Sequence, residues 1–139
     1  VTFALAASRH LDDARHLHGE QRYPNADHLA GLAAECALKA IAVAHLGAMV
    51  NPKGPPTVGS TKLGHLAPLW GDVRTIAAGR SAAALLATLG TGNPFASWDV
   101  SQRYDDGAAI SATCSSDHIR AASDVMHVLQ RAQLDGVLS

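Results

Sequence analysis

Apolar and polar positions follow a helical period over most of the chain, most clearly from Asn25 to Met49. There, one face runs from Ala26 and Leu29 through Ala33, Ala37 and Ala40 to Ala44, while Ala34, Leu38 and Ile41 trace a second. Pro24 and Asn25 supply a turn and a helix cap ahead of it. Beyond the first turn Glu35 and Lys39 are almost the only charges, one turn apart on a narrow strip. A helix that is apolar nearly all round is covered by partners on several sides. This stretch reads as the central helix of a small bundle.

The same period predicts a first helix over Phe3–His18, burying Phe3, Ala7, His10, Leu11, Ala14 and Leu17 and closed by Gly19. Asn51–Ser60 is a proline and glycine loop that no helix can cross. Thr61–Trp70 reads as a short helical segment, with Gly71 as its stop and Asp72 as a fresh cap. A third helix follows over Val73–Leu89. Thr91–Ser115 lacks clear periodicity, apart from a partial turn over Ala108–Cys114, and long structureless segments are often functional. A last helix starts at Ser115 or Ser116 and runs to about Gln133, burying Ile119, Ala122, Met126 and Leu129. The expected architecture is all-α: one domain over residues 1–139, an antiparallel up-and-down four-helix bundle with a long crossover before its last helix.

Composition narrows the function classes. A length of 139 residues suffices for a buried core without staples. A net charge of −1, with 17% charged residues, argues against binding nucleic acid by bulk electrostatics, although a local basic pocket stays open. Neither Cys36 nor Cys114 belongs to a Cys-x-x-Cys pair, which fits a reduced, cytoplasmic protein. No apolar run approaches the roughly 18–20 residues of a membrane span. Val1–Ser8 faintly resembles the end of a secretory signal but lacks a basic leader, and a start at Val1 rather than Met suggests a position inside a longer gene product. Of the eight histidines, His16 and His18 point to different sides of a helix, and no His-Glu-x-x-His motif occurs, so neither a metal centre nor a cofactor is expected.

Three motifs, in order, resemble the HEPN family of small helical bundles: Ala33-Ala34-Glu35-Cys36-Ala37-Leu38-Lys39-Ala40, His65-Leu66-Ala67-Pro68-Leu69, and Trp98–Asp105 with its Arg103-Tyr104 pair. Tyr23-Pro24-Asn25-Ala26 is similar to the family's approach to its second helix. The resemblance implies a homodimeric bundle, commonly encoded beside a nucleotidyltransferase, that binds or acts on RNA or nucleotides. The ribonuclease branch carries an Arg followed within a few residues by a His. Here the next histidine after Arg103 is His118, so the chain departs from that pattern. Its Arg-Tyr signature resembles a branch to which no proven catalysis is usually assigned.

Arg103 and Tyr104 are the leading candidates for contact with a nucleotide or phosphate, since a guanidinium fork grips phosphate and an aromatic ring stacks on a base. The competing reading makes Trp98 and Tyr104 loop anchors, with Arg103 paired to a carboxylate. Glu35, Lys39 and His65 join the candidate set if the crossover folds back over the second helix. If buried, Glu35 and Lys39 would be tied to Arg103, Tyr104 or His65 in a polar network, because an unpaired interior charge is costly. Arg22 and His28 imitate the ribonuclease spacing at the wrong end of the fold. Arg120 and His127 imitate it on the last helix, but share a polar face with Asp124 and Arg131 that reads as a solvated strip containing an Arg120–Asp124 pair. The expected role is a non-catalytic nucleotide- or RNA-associated module. The alternatives are a metal-independent ribonuclease of toxin or defence type, using Arg120 and His127 or Arg103 with a displaced His, and a purely structural interaction bundle.

Overall fold

The computed structural model describes residues 2–138, with side chains through residue 135. Helices α1 (Phe3–Gly19) and α2 (Tyr23–His45) form an antiparallel hairpin. Its three-residue connection closes through Gln21, which takes the left-handed backbone at φ 61°, and through the Arg22 N–H bonded to the Leu17 carbonyl at 2.9 Å. Asn25 does not cap α2. The helix starts at Tyr23, because Pro24 is tolerated in a first turn whose N–H groups have no helical partner. The apolar period holds: Ala30, Ala33, Ala34 and Ala37 are fully buried, and α2 is the central helix.

Helix α5 (Ala112–Leu138) covers α2 and α1. It begins earlier than the sequence suggests, with the Ser111 hydroxyl accepting the Cys114 N–H at 3.0 Å. Ser115, expected near the cap, is instead buried inside the helix and shares a hydrogen bond with His18 Nδ1 at 2.9 Å. Ala122, Met126 and Leu129 are buried as their spacing predicts, with Ile119 half-buried. Helices α2 and α5 run parallel, their N-terminal ends meeting at Asp27 and His118.

Two expectations are corrected between them. The proline-rich stretch is a small antiparallel sheet, β1 (Met49–Asn51), β2 (Gly54–Val58) and β3 (Thr61–Lys62) in that order, so the chain is mostly helical but not all-α. Pro55 and Pro56 lie in the middle strand, between the paired positions Gly54 and Thr57 and beside a register irregularity of β1, where the ladder asks no N–H of them. The Asn51 amide donates to the Pro55 carbonyl at 2.8 Å, and the Leu63 N–H reaches the Pro56 carbonyl at 2.8 Å. The third helix is also two helices. α3 (Leu66–Ala77) runs through Gly71 and Asp72, and α4 (Ala82–Ala87) follows a break at Gly79, where φ is +78°. His65 at the start of α3 bonds Glu35, while Arg80 beyond its end bonds the Leu46 carbonyl at 3.0 Å. Helix α3 therefore runs alongside α2 in the same direction. The third position of an up-and-down bundle is taken by this folded-back pair.

The long crossover before α5 is present. Its core is a 3₁₀ helix (Val100–Tyr104) capped by Asp99, whose Oδ1 accepts the Ser101 N–H at 2.8 Å. Phe95 and Trp98, both buried, pin it to the bundle. Trp98 lies so close to Gly31 that a Cβ there would clash with the indole. Only glycine fits at that point of α2.

Candidate functional site

Asp27 is the hub that positions the crossover. It lies on the buried arc of α2 with Ala30, Ala34 and Leu38, and its side chain is wholly removed from water. An ionised carboxylate there is stable only when its oxygens are satisfied. His118 Nδ1 donates to Oδ1 at 2.5 Å, the Cys114 thiol approaches the same oxygen at 3.7 Å, and Gln102 Nε2 donates to Oδ2 at 2.9 Å. The Trp98 indole N–H donates to the Asp27 backbone carbonyl at 3.1 Å. Burial, together with the Asp27 charge, pushes the Cys114 thiol up. Sequence reasoning gives Asp27 and Gln102 no role, and meets Cys114 only as an unpaired cysteine and His118 only as the next histidine after Arg103. The available signal was a lone acidic residue on the apolar arc of a buried helix, which demands partners.

Glu35 is the second carboxylate of α2. Lys39, one turn on, donates to Oε2 at 3.3 Å, and His65 Nδ1 donates to Oε1 at 3.1 Å. Of the partners expected for this pair, His65 is bonded to Glu35, whereas among the described residues neither Arg103 nor Tyr104 is tied to Glu35 or Lys39. Glu35 and Lys39 are nearly buried, whereas the His65 side chain is 61% exposed. With Nδ1 held on the carboxylate, Nε2 of this largely exposed ring has no protein partner among the described residues. His28 lies on the same strip of α2, one side stacked on Trp98 with ring centroids 5.6 Å apart. Burial and the nearby Arg103 guanidinium lower its basicity. Burial, then Arg9, lower that of His10. Burial, then Glu35, push the Cys36 thiol up to about 11, which disfavours the reactive thiolate.

Arg103 and Tyr104 sit at the end of the 3₁₀ helix that Gln102 ties to Asp27. Tyr104 is 77% exposed and does not anchor the loop; Trp98 alone of the two expected anchors does so. Among the described residues Arg103 has no hydrogen-bond or ion-pair partner. Its guanidinium rests on the Tyr104 ring, 4.8 Å from the centroid. Beside Tyr104 opens a cavity of about 460 Å³, lined by Gln102, Asp105, Asp106, Gly107 and Ile110, a size that accommodates a small ligand. The Ser101 hydroxyl and N–H hold the Asp99 carboxyl below the usual range.

Arg120 and His127 lie apart from all of this, exposed on the outer face of α5. The expected Arg120–Asp124 pair is not formed; the ion pair on that helix among the described residues joins Arg131 and Asp135 at 3.9 Å. His127 borders only a shallow depression toward Leu85 and Leu89 of the α4 region. Arg22 is exposed at the start of α2, in the first interhelical turn. No helix of the described residues is long and apolar enough to cross a membrane. Comparison with protein-family models, with curated proteins and with solved structures finds no match to this chain.

Proposed function

We propose that this chain is a HEPN-type helical module that binds a nucleotide or an RNA segment without cleaving it, working in the cytoplasm as a homodimer alongside a nucleotidyltransferase partner. The observation that carries the reading is the Arg103 guanidinium, without a partner among the described residues and lying over the exposed ring of Tyr104, which lines a cavity. Arg103 takes the phosphate and Tyr104 stacks on the base. Asp105 and Asp106 would repel phosphate but accept hydrogen bonds from ribose hydroxyls or base N–H groups, which orients the nucleotide with its phosphate at Arg103. His65, Glu35 and Lys39 form the adjoining polar strip.

A thermal-shift titration with nucleoside mono-, di- and triphosphates and short RNAs tests this. At 100 times its Kd, a ligand of the folded state stabilises by about 2.7 kcal/mol. The stabilisation is expected in the wild type and absent in a folded Arg103→Ala variant. No shift with any of these ligands overturns the reading.

One observation favours a second reading, a metal-independent ribonuclease. The Glu35–His65 pair fixes one ring nitrogen and presents the other, the arrangement of a general base. RNA cleavage that is lost in His65→Ala and kept in His127→Ala would establish it, and Arg120 and His127 would then have no part.

A further inference from the structure

From the packing of α2 against α5, we infer a zinc-class metal site formed by Asp27, Cys114 and His118. The three residues bring a carboxylate oxygen, a thiol sulfur and an imidazole nitrogen together at the buried junction of two helices. The separations are 3.7 Å from sulfur to oxygen, 3.8 Å from sulfur to nitrogen and 2.5 Å from nitrogen to oxygen. Tetrahedral bonds of zinc length place such donors about 3.4–3.6 Å apart. Two of the three edges exceed this by only about 0.1–0.4 Å, and the third opens by about 0.9 Å when the ion replaces the hydrogen bond between His118 and Asp27.

The mixture of soft and borderline donors selects zinc over magnesium or calcium, which prefer all-oxygen shells. Cys114 and His118 are one turn apart on α5, a spacing that sets both side chains on one face. Gln102, donating to the second oxygen of Asp27, is the outer partner that orients a ligating carboxylate. Cys114 is only half-buried, so the donor set is not sealed from solvent and an ion could reach it at the sulfur. On metal entry the thiol gives its proton to solvent, and the imidazole changes tautomer, the Nδ1 proton passing through solvent to Nε2, so that Nδ1 is free for the ion.

A Cys-His-Asp nucleophile does not fit the same residues. In such a triad the thiol and the carboxylate hold opposite nitrogens of the ring, whereas here both meet Nδ1. The thiol is also held protonated rather than activated.

The test is a titration of the metal-stripped, reduced protein with Co²⁺, followed by Zn²⁺, and does not involve the nucleotide site. One equivalent of Co²⁺ is expected to give a thiolate-to-metal absorption band in the near ultraviolet that Zn²⁺ then displaces. Zn²⁺ is expected to raise the melting temperature. Cys114→Ser, a near-isosteric change at a half-buried position, is expected to keep the helical circular dichroism and lose both effects. His16→Asn/His18→Asn is expected to retain them. Absence of the band at one equivalent overturns the site. So does a Cys114→Ser protein that binds Zn²⁺ as well as the wild type, since the ion is then adventitious on surface histidines.

Discussion

Two carboxylates on one helix face opposite fates in this molecule. Asp27 and Glu35 lie two turns apart on α2, and both are buried. The partners of Asp27 come from the crossover and α5, and every one of them is itself part-buried or buried. Glu35 has Lys39 from its own helix and His65, whose ring is mostly in water. The first carboxylate joins three remote segments of the chain; the second is tied to its own helix and to a ring at the surface. Burial of a charge alone does not tell how much of the fold depends on it. Where its partners come from does.

Substitution of each carboxylate breaks the comparison most sharply. Asp27→Ala leaves His118 and Gln102 without their acceptor in the interior and is expected to cost about 3–5 kcal/mol of stability. Glu35→Ala is expected to cost about 1–3 kcal/mol, since the Lys39 ammonium can extend along its stem to water and His65 is already there. Urea denaturation measures both. Equal losses would remove the distinction.

Gly31→Ala attacks the same joint from the indole side. A Cβ pressed against the ring forces Trp98 off α2, with an expected loss of about 1–3 kcal/mol and a red shift of tryptophan emission. An unchanged emission maximum would mean that the crossover does not depend on this contact.

The histidine strip beside Glu35 gives a smaller, pH-dependent effect. His28 and His10 are less basic in the folded state than in the unfolded chain, so the unfolded state binds more protons as the solution turns acid. Their contribution is present above the ordinary histidine value of about 6.5 and is lost as pH falls through the folded value. The melting temperature is expected to fall between about pH 7 and pH 5, and less so in His28→Gln. Identical pH profiles for the two proteins would place the effect elsewhere. The smallest expected effects are those of Arg120→Ala and His127→Ala, each within about 0.5 kcal/mol of wild type in stability and with nucleotide binding unchanged.

How far the sequence revealed this arrangement depends on the reach of each interaction. The buried stripes of α1, α2 and α5 were legible because they repeat locally, and the Glu35–Lys39 pair because it spans one turn. The break between α3 and α4 was not, since Gly71 followed by Asp72 looks like a boundary, yet the packing of Trp70 and Val73 carries the helix past it. The strands at Gly54–Val58 were hidden in a proline-rich stretch whose ladder relies on an asparagine side chain and a few carbonyls. The site was half legible. Arg103, Tyr104, Glu35, Lys39 and His65 stand in motifs, and the structure links Glu35 with Lys39 and His65. The Asp27 cluster joins residues 75, 87 and 91 positions apart, and no local pattern announces such a meeting.

That separation also sets an order of events along the folding path. The α1–α2 hairpin closes over a short connection and can form early, but at that moment Asp27 has only water for company. Its acceptor sites fill only when the distant crossover and α5 arrive, and pairings between remote segments are the slow ones to form. Docking at Asp27 thus belongs to the late side of the rate-limiting barrier. Substitutions there are expected to accelerate unfolding and leave the refolding rate nearly unchanged. Because the 3₁₀ helix hangs from the same carboxylate, the Arg103–Tyr104 surface exists only in chains that have completed this last step.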